Sequence, residues 1–180
     1  MATLEDITSS LDITESQVKS ICRFLFMRDK IATLATGESL VVLVCDFLRQ
    51  SGLTFEEYVN IGHRFSDNLI EHGKVLEDNL NCFASDGGSA QMPWCFLTMI
   101  DNRYVGLQRS DTCDTSSLYD LKDEVYVSRP PAPPVFTVTV AVDALYMRTL
   151  AAKDGHEKAA DYFNKGLLVG KCSIEDSGDK

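Results

Sequence analysis

Up to about residue 83 the apolar side chains of this chain recur every three or four positions, and from about residue 92 strand-like runs follow, with alternation clearest in VFTVTVAV. The change falls at ASDGGSAQ, residues 84–91, a small, polar, glycine-rich stretch. A period of 3.6 aligns one stripe of a helix with a core, whereas a period of two aligns one face of a strand. No single kind of element serves both patterns. The chain is therefore read as α+β, with helices first and a sheet after them. The expected divisions are a helical region over 1–83, a linker over 84–92, an α+β region over 93–171 and a flexible tail over 172–180.

Within the first region, Thr14 and Gln17 in TESQ have capping-box spacing, in which each side chain serves the other's orphan amide. Val18, Ile21, Cys22 and Leu25 continue the stripe, and a helix is predicted over 15–29. A second helix follows Gly37, with Leu40, Leu43, Val44, Phe47 and Leu48 on one face. Val41, Val42 and Cys45 fill its other faces, which marks a central core helix. Its β-branched residues also suit a buried strand. Asp46, Arg49 and Gln50 resume the helical pattern, and Gly52 supplies a stop, so helix is preferred. Thr54 and Glu57 form a second box before a third helix at about 55–72. There Tyr58, Ile61, Phe65 and Leu69 face the core, and Gly73 is expected to interrupt it.

In the second region, WCFLTMI and YVGLQRS flank Asp101 and Asn102, a two-residue hairpin turn. EVYVS and VFTVTVAV add two strands, giving a mainly antiparallel four-stranded sheet. One or two helices over 143–166 close the domain. Within them DGHEKAADYFNKGL, with Ala159, Ala160 and Phe163 at small–small–aromatic spacing, resembles the second helix of a tetratricopeptide repeat. Such arrays need about three copies and no second copy is present, so the segment is read as one docked amphipathic helix.

The net charge is −10, and both halves are acidic, residues 1–90 more so than residues 91–180. The densest basic cluster is Arg23, Arg28 and Lys30. Counterion release from nucleic acid requires many more cations than that, and anionic membrane is disfavoured likewise. A protein partner with a basic surface is the expectation. Six cysteines occur without a CxxC pair. MATLEDITSS lacks the apolar run of a signal peptide, and LVVLVC is far short of a membrane span. A cytoplasmic protein with reduced, mostly buried thiols is expected.

One stretch suggests nucleic acid. RQSGLTFEEYVNIGHRF, residues 49–65, reads as helix, glycine turn and helix, so residues 38–72 could form a helix-turn-helix presenting Asn60, His63 and Arg64 to bases. Against this, residues 54–72 carry four carboxylates and one arginine. Other motifs fall short. GLLVGK, residues 166–171, is one residue too short for a phosphate loop, and Cys172 replaces its Ser or Thr. Asp111, Asp114 and Asp120 lack calcium-loop spacing and read as a solvated acidic loop. His63, His72 and His156 are scattered, and neither Cys82 nor Cys113 is arranged against a histidine. Ser89 lacks a nucleophile-elbow context, and RPPAPP reads as a stiff connector. No catalytic residue, metal ligand or cofactor (none is expected) can be nominated. The first expectation is thus a non-enzymatic regulatory or inhibitory protein acting through an acidic surface. The alternatives are a helix-turn-helix regulator with residues 93–180 as a dimerisation or sensing module, and an enzyme whose site assembles only in space. Homo-oligomerisation stays open.

Overall fold

Reciprocal caps start three of the helices. In the computed structural model, which describes residues 2–10, 13–26, 32–86, 94–109 and 117–154, helix α1 (Leu4–Ser10) opens on Thr3 and Asp6. The Thr3 amide donates to the Asp6 carboxylate at 2.7 Å, and the Asp6 amide to the Thr3 hydroxyl at 3.1 Å. Helix α2 (Glu15–Phe26) uses Thr14 and Gln17 in the same way. Helix α4 (Phe55–Asp86) uses Thr54 and Glu57. Helix α3 (Thr36–Gln50) has only half a box, since Ala35 offers no acceptor and its amide donates to Glu38 at 2.9 Å.

Helix α3 ends in a Schellman turn. The Leu53 amide reaches the Leu48 carbonyl, the Gly52 amide reaches that of Arg49, and Gly52 takes φ 91°. The chain then reverses, and α4 runs back antiparallel along α3. The contrast with the sequence expectation is at Gly73, where α4 continues without a break to Asp86. A helix tolerates an interior glycine at about 1 kcal/mol. Here the missing side chain makes room for α3: a Cβ on Gly73 would lie 2.3 Å from the Gly37 Cα. Farther along the seam a Cβ on Gly62 would lie 2.5 Å from the Cys45 sulfur, and the Cys45 thiol donates to the Tyr58 carbonyl at 3.5 Å. From Thr36 to Asp46 every residue of α3 is buried.

The first strands, β1 (Ala2–Thr3) and β2 (Thr33–Leu34), form a small antiparallel pair. The main sheet comprises β3 (Cys95–Ile100), β4 (Tyr104–Arg109), β5 (Leu118–Asp120), β6 (Val125–Val127) and β7 (Thr137–Ala141). Its order is β6-β5-β4-β3-β7 and every neighbouring pair is antiparallel. The α+β class holds, with five strands in place of the four expected. The extra strand, β5, comes from residues read as acidic loop: Tyr119 points toward the helices, and Asp120 is buried instead of solvated. Between β3 and β4, Asp101 and Asn102 take φ 51° and 52° as a hairpin turn demands. Pairing resumes only at Tyr104, so Arg103 is a third loop residue.

Helix α5 (Val142–Asp154) follows β7 directly and returns across the sheet to α3 and α1. One apolar cluster joins Ile21 of α2, Leu43 of α3 and Leu69 of α4 to Leu97, Val105 and Tyr146. The helical and sheet halves therefore share a core. Cys22, Cys45 and Cys95 are buried in it as thiols. Among the described residues no helix is long and apolar enough to cross a membrane. Arg28, Lys30, residues 87–91, Ser89, Asp111, Cys113, Asp114, His156, Ala159, Ala160, Phe163, residues 166–171, Cys172 and the 172–180 tail lie outside the described residues, as does the Cys82 side chain.

Candidate functional site

Residues at helical spacing leave α4 on the side away from α3: Glu56, Glu57, Asn60, His63 and Arg64. Opposite them stands the β5–β6 hairpin. Tyr119 and Tyr126 are direct cross-strand partners, with ring centroids 5.6 Å apart in an edge-on arrangement. Tyr119 also pairs with Val105, so both rings lie on the face of the sheet that the helices cover. The Arg64 guanidinium lies over the Tyr119 ring at 4.4 Å and beside that of Tyr126 at 5.6 Å. This cation–π stack joins helix to hairpin at a site open to solvent.

Around the stack lie two adjoining hollows, which together are called the groove. One, of about 480 Å³, lies among Asn60, His63, Arg64, Tyr126 and Glu124. The other, of about 320 Å³, is bounded by Glu56, Glu57, Glu124 and Leu121, and both share Asn60 and Tyr119. Among the described residues, the second part is lined by three carboxylates and no cation. Thr54, through its amide and then its hydroxyl, lowers the Glu57 carboxyl below the usual range, so this group is ionised at neutral pH.

The hairpin that forms this wall is held by a clamp. Arg103 donates through Nε and Nη2 to the two Asp120 oxygens at 2.9 and 2.7 Å, and to Asp123 at 3.0 Å. The Lys122 and Asp123 amides close on the same Asp120 carboxylate. These bonds fix the turn that places Glu124, at φ 52°, beside the groove. The Arg103 side chain is the main reason that the Asp120 carboxyl is lowered from 3.8 to about 2. A carboxyl with a depressed folded value contributes stability above its unfolded value and loses it as pH falls through the folded one. Between pH 4 and pH 2 the hairpin is therefore expected to lose on the order of 1 kcal/mol, since Arg103 is partly solvated and screened. Denaturation of D120N across that range checks it: the gap to wild type should shrink on acidification, and a constant gap would contradict the assignment.

A second polar cluster is enclosed. His72 Nε2 and Asp143 Oδ1 are 2.6 Å apart, with side-chain exposures of 1% and 0%. The other Asp143 oxygen accepts the Cys95 amide at 2.7 Å. One carboxylate in the first turn of α5 thus binds α4 and the start of β3. His72 Nδ1 has no hydrogen-bond partner. Near it the Thr36 hydroxyl contacts Glu77 at 3.3 Å and Tyr146 at 3.4 Å. The burial of this cluster marks it as a structural tie.

Asn60, His63 and Arg64, the residues nominated from sequence for base reading, converge on the groove, where Arg64 faces Tyr119 and not bulk solvent alone. Sequence reasoning missed Tyr119, Tyr126 and Glu124, whose placement needs the β4–β5 and β5–β6 registers. Of the scattered histidines, His63 reaches the groove and His72 the interior. Among the described residues no three His, Cys, Asp or Glu side chains converge as metal ligands do. No protein-family model, curated protein or solved structure matches this chain.

Proposed function

We propose that this protein is a binding module, regulatory or inhibitory and not catalytic, that takes a basic segment of another protein in the groove between α4 and the β5–β6 hairpin. One observation carries the reading: among the described residues, Glu56, Glu57 and Glu124 line one end of the groove with Tyr119 and Leu121, and no cation lines that end. A lysine or arginine entering there meets three opposite charges, while its methylenes lie on Leu121 and Tyr119. Arg64 is the internal precedent, a guanidinium already resting on the same ring. The net charge of −10 adds long-range attraction for a cationic partner and repulsion for anionic ones.

An arginine- and lysine-rich peptide titrated by fluorescence anisotropy tests the reading. Exposed charge pairs contribute about 0.2–1 kcal/mol each, so E56Q/E124Q is expected to weaken binding roughly two- to thirtyfold. Added salt should weaken it further. Salt-insensitive binding, or equal affinity of the double variant, contradicts the proposal. Capture from lysate that is abolished by nuclease would favour nucleic acid and the Asn60–His63–Arg64 face instead.

A further inference from the structure

The main sheet has two edges, and they differ. Strand β6 is three residues long and follows the charged turn Lys122–Asp123–Glu124. Strand β7 lacks the protective residues found on sheet edges: TVTVA contains no charge and no proline. The uncharged stretch is longer than the strand. Residues 130–142 carry no Asp, Glu, Lys or Arg in a chain of net charge −10. Val135 is 91% exposed, Phe136 42% and Val138 38%.

The hydrogen bonding defines which part of this edge is available. The Val135 and Phe136 amides both donate to the Asp101 carboxylate at 2.9 Å. The Asp101 amide donates to the Phe136 carbonyl at 3.2 Å. With Met99 opposite Val138 and Leu97 opposite Val140, antiparallel alternation directs the Val138 and Val140 backbone groups toward β3. Those of Thr137 and Thr139 turn to the open side. The free pairing groups therefore begin at Thr137.

We infer that β7 is a self-pairing edge, through which two copies of this chain join antiparallel about a two-fold axis at Thr139. The strand is nearly palindromic about that residue. Two-fold pairing sets Thr139 against Thr139, Val138 against Val140 and Thr137 against Ala141. On one face this extends the threonine row begun by Thr98 and Thr139, whose hydroxyls are 3.1 Å apart. On the other it continues the valine face, and the two five-stranded sheets become one of ten. The symmetry of TVTVA about Thr139 selects a second copy as the occupant. Two bodies of −10 repel over most orientations. Along 130–142 neither brings a carboxylate from its own strand to the contact. A two-fold edge contact is closed, so the assembly stops at two. The inference rests on β7 alone and is independent of the groove.

Sedimentation equilibrium of the full chain should give twice the chain mass. V138K places like charges near the axis and T139P removes an outward donor without touching the β3 ladder, so each should return the mass to that of one chain. Circular dichroism reports whether each variant remains folded. T139C supplies a test of register that does not depend on disrupting the strand. Hydrogen-bonded antiparallel partners lie about 5.5 Å apart at Cα, within disulfide reach. Mild oxidation should therefore link T139C into a covalent dimer well beyond any linking of wild type, whereas T137C, whose partner is Ala141, should link no more than wild type. A wild-type chain that remains monomeric up to its solubility limit overturns the inference. So does a dimer that survives both V138K and T139P, or T137C linking as readily as T139C.

Discussion

Replacing Gly73 by alanine is expected to destabilise the protein by about 3 kcal/mol, although alanine is the better helix former by about 1 kcal/mol. The reason is geometric. The new Cβ would lie 2.3 Å from the Gly37 Cα and 2.4 Å from its nitrogen, both backbone atoms of a helix buried on every side. No rotamer change can relieve that contact, so α3 and α4 must separate, and the packing beneath them with it. Gly37→Ala meets the Ile70 backbone at 2.5 Å and should behave alike. Gly62→Ala meets a sulfur at 2.5 Å and should cost less, because that side chain can shift. Gly52→Ala meets nothing within 4 Å and bears only the strain of φ 91°, roughly 1 kcal/mol. Urea midpoints of the four variants give the order. A Gly73→Ala protein as stable as wild type would show that the helices do not touch as described.

Asp143→Ala is expected to cost about 3–5 kcal/mol, the other large loss. Truncation removes the carboxylate that both His72 Nε2 and the Cys95 amide contact in a buried site, where a lost polar partner costs its solvation. His72→Leu should be nearly as damaging, since it strands a buried carboxylate with the Cys95 amide alone. The double variant H72L/D143L removes both ends of the buried pair. Its loss should therefore be clearly smaller than the sum of the single losses. Additive single effects would show that the two side chains do not act as a pair.

Much of the architecture was legible because the local signals agree with one another. The Thr14–Gln17 and Thr54–Glu57 boxes sit where their spacing places them. Gly52 ends α3, and the aliphatic face of Leu40–Leu48 is at the centre of the core. A third box, Thr3 with Asp6, was present and unread, because aspartate replaces the usual glutamate or glutamine at its far end. Gly73 misled for a different reason. Its role is to admit a neighbour 36 residues earlier in the chain, and single-helix reasoning contains no term for that. The short strand β5 was hidden among aspartates, one of which is neutralised by Arg103 from another loop.

The groove was half legible. Asn60, His63 and Arg64 stood out as polar residues on one helical face, and they do line it together. Their surroundings come from the sheet, where register and not spacing decides which tyrosine meets which helix. A reading confined to residues 38–72 sees a guanidinium suited to guanine; the fold supplies a tyrosine ring 4.4 Å away as its neighbour.

The seam at Cys45 has a chemical consequence. Burial, then Cys22 and Asp46 nearby, pushes this thiol upward, away from the thiolate that oxidants and alkylating agents attack. Its sulfur is covered by Gly62 and engaged with the Tyr58 carbonyl. Reagent reaches it when α4 parts from α3, so modification of this atom reports opening of that helical hairpin.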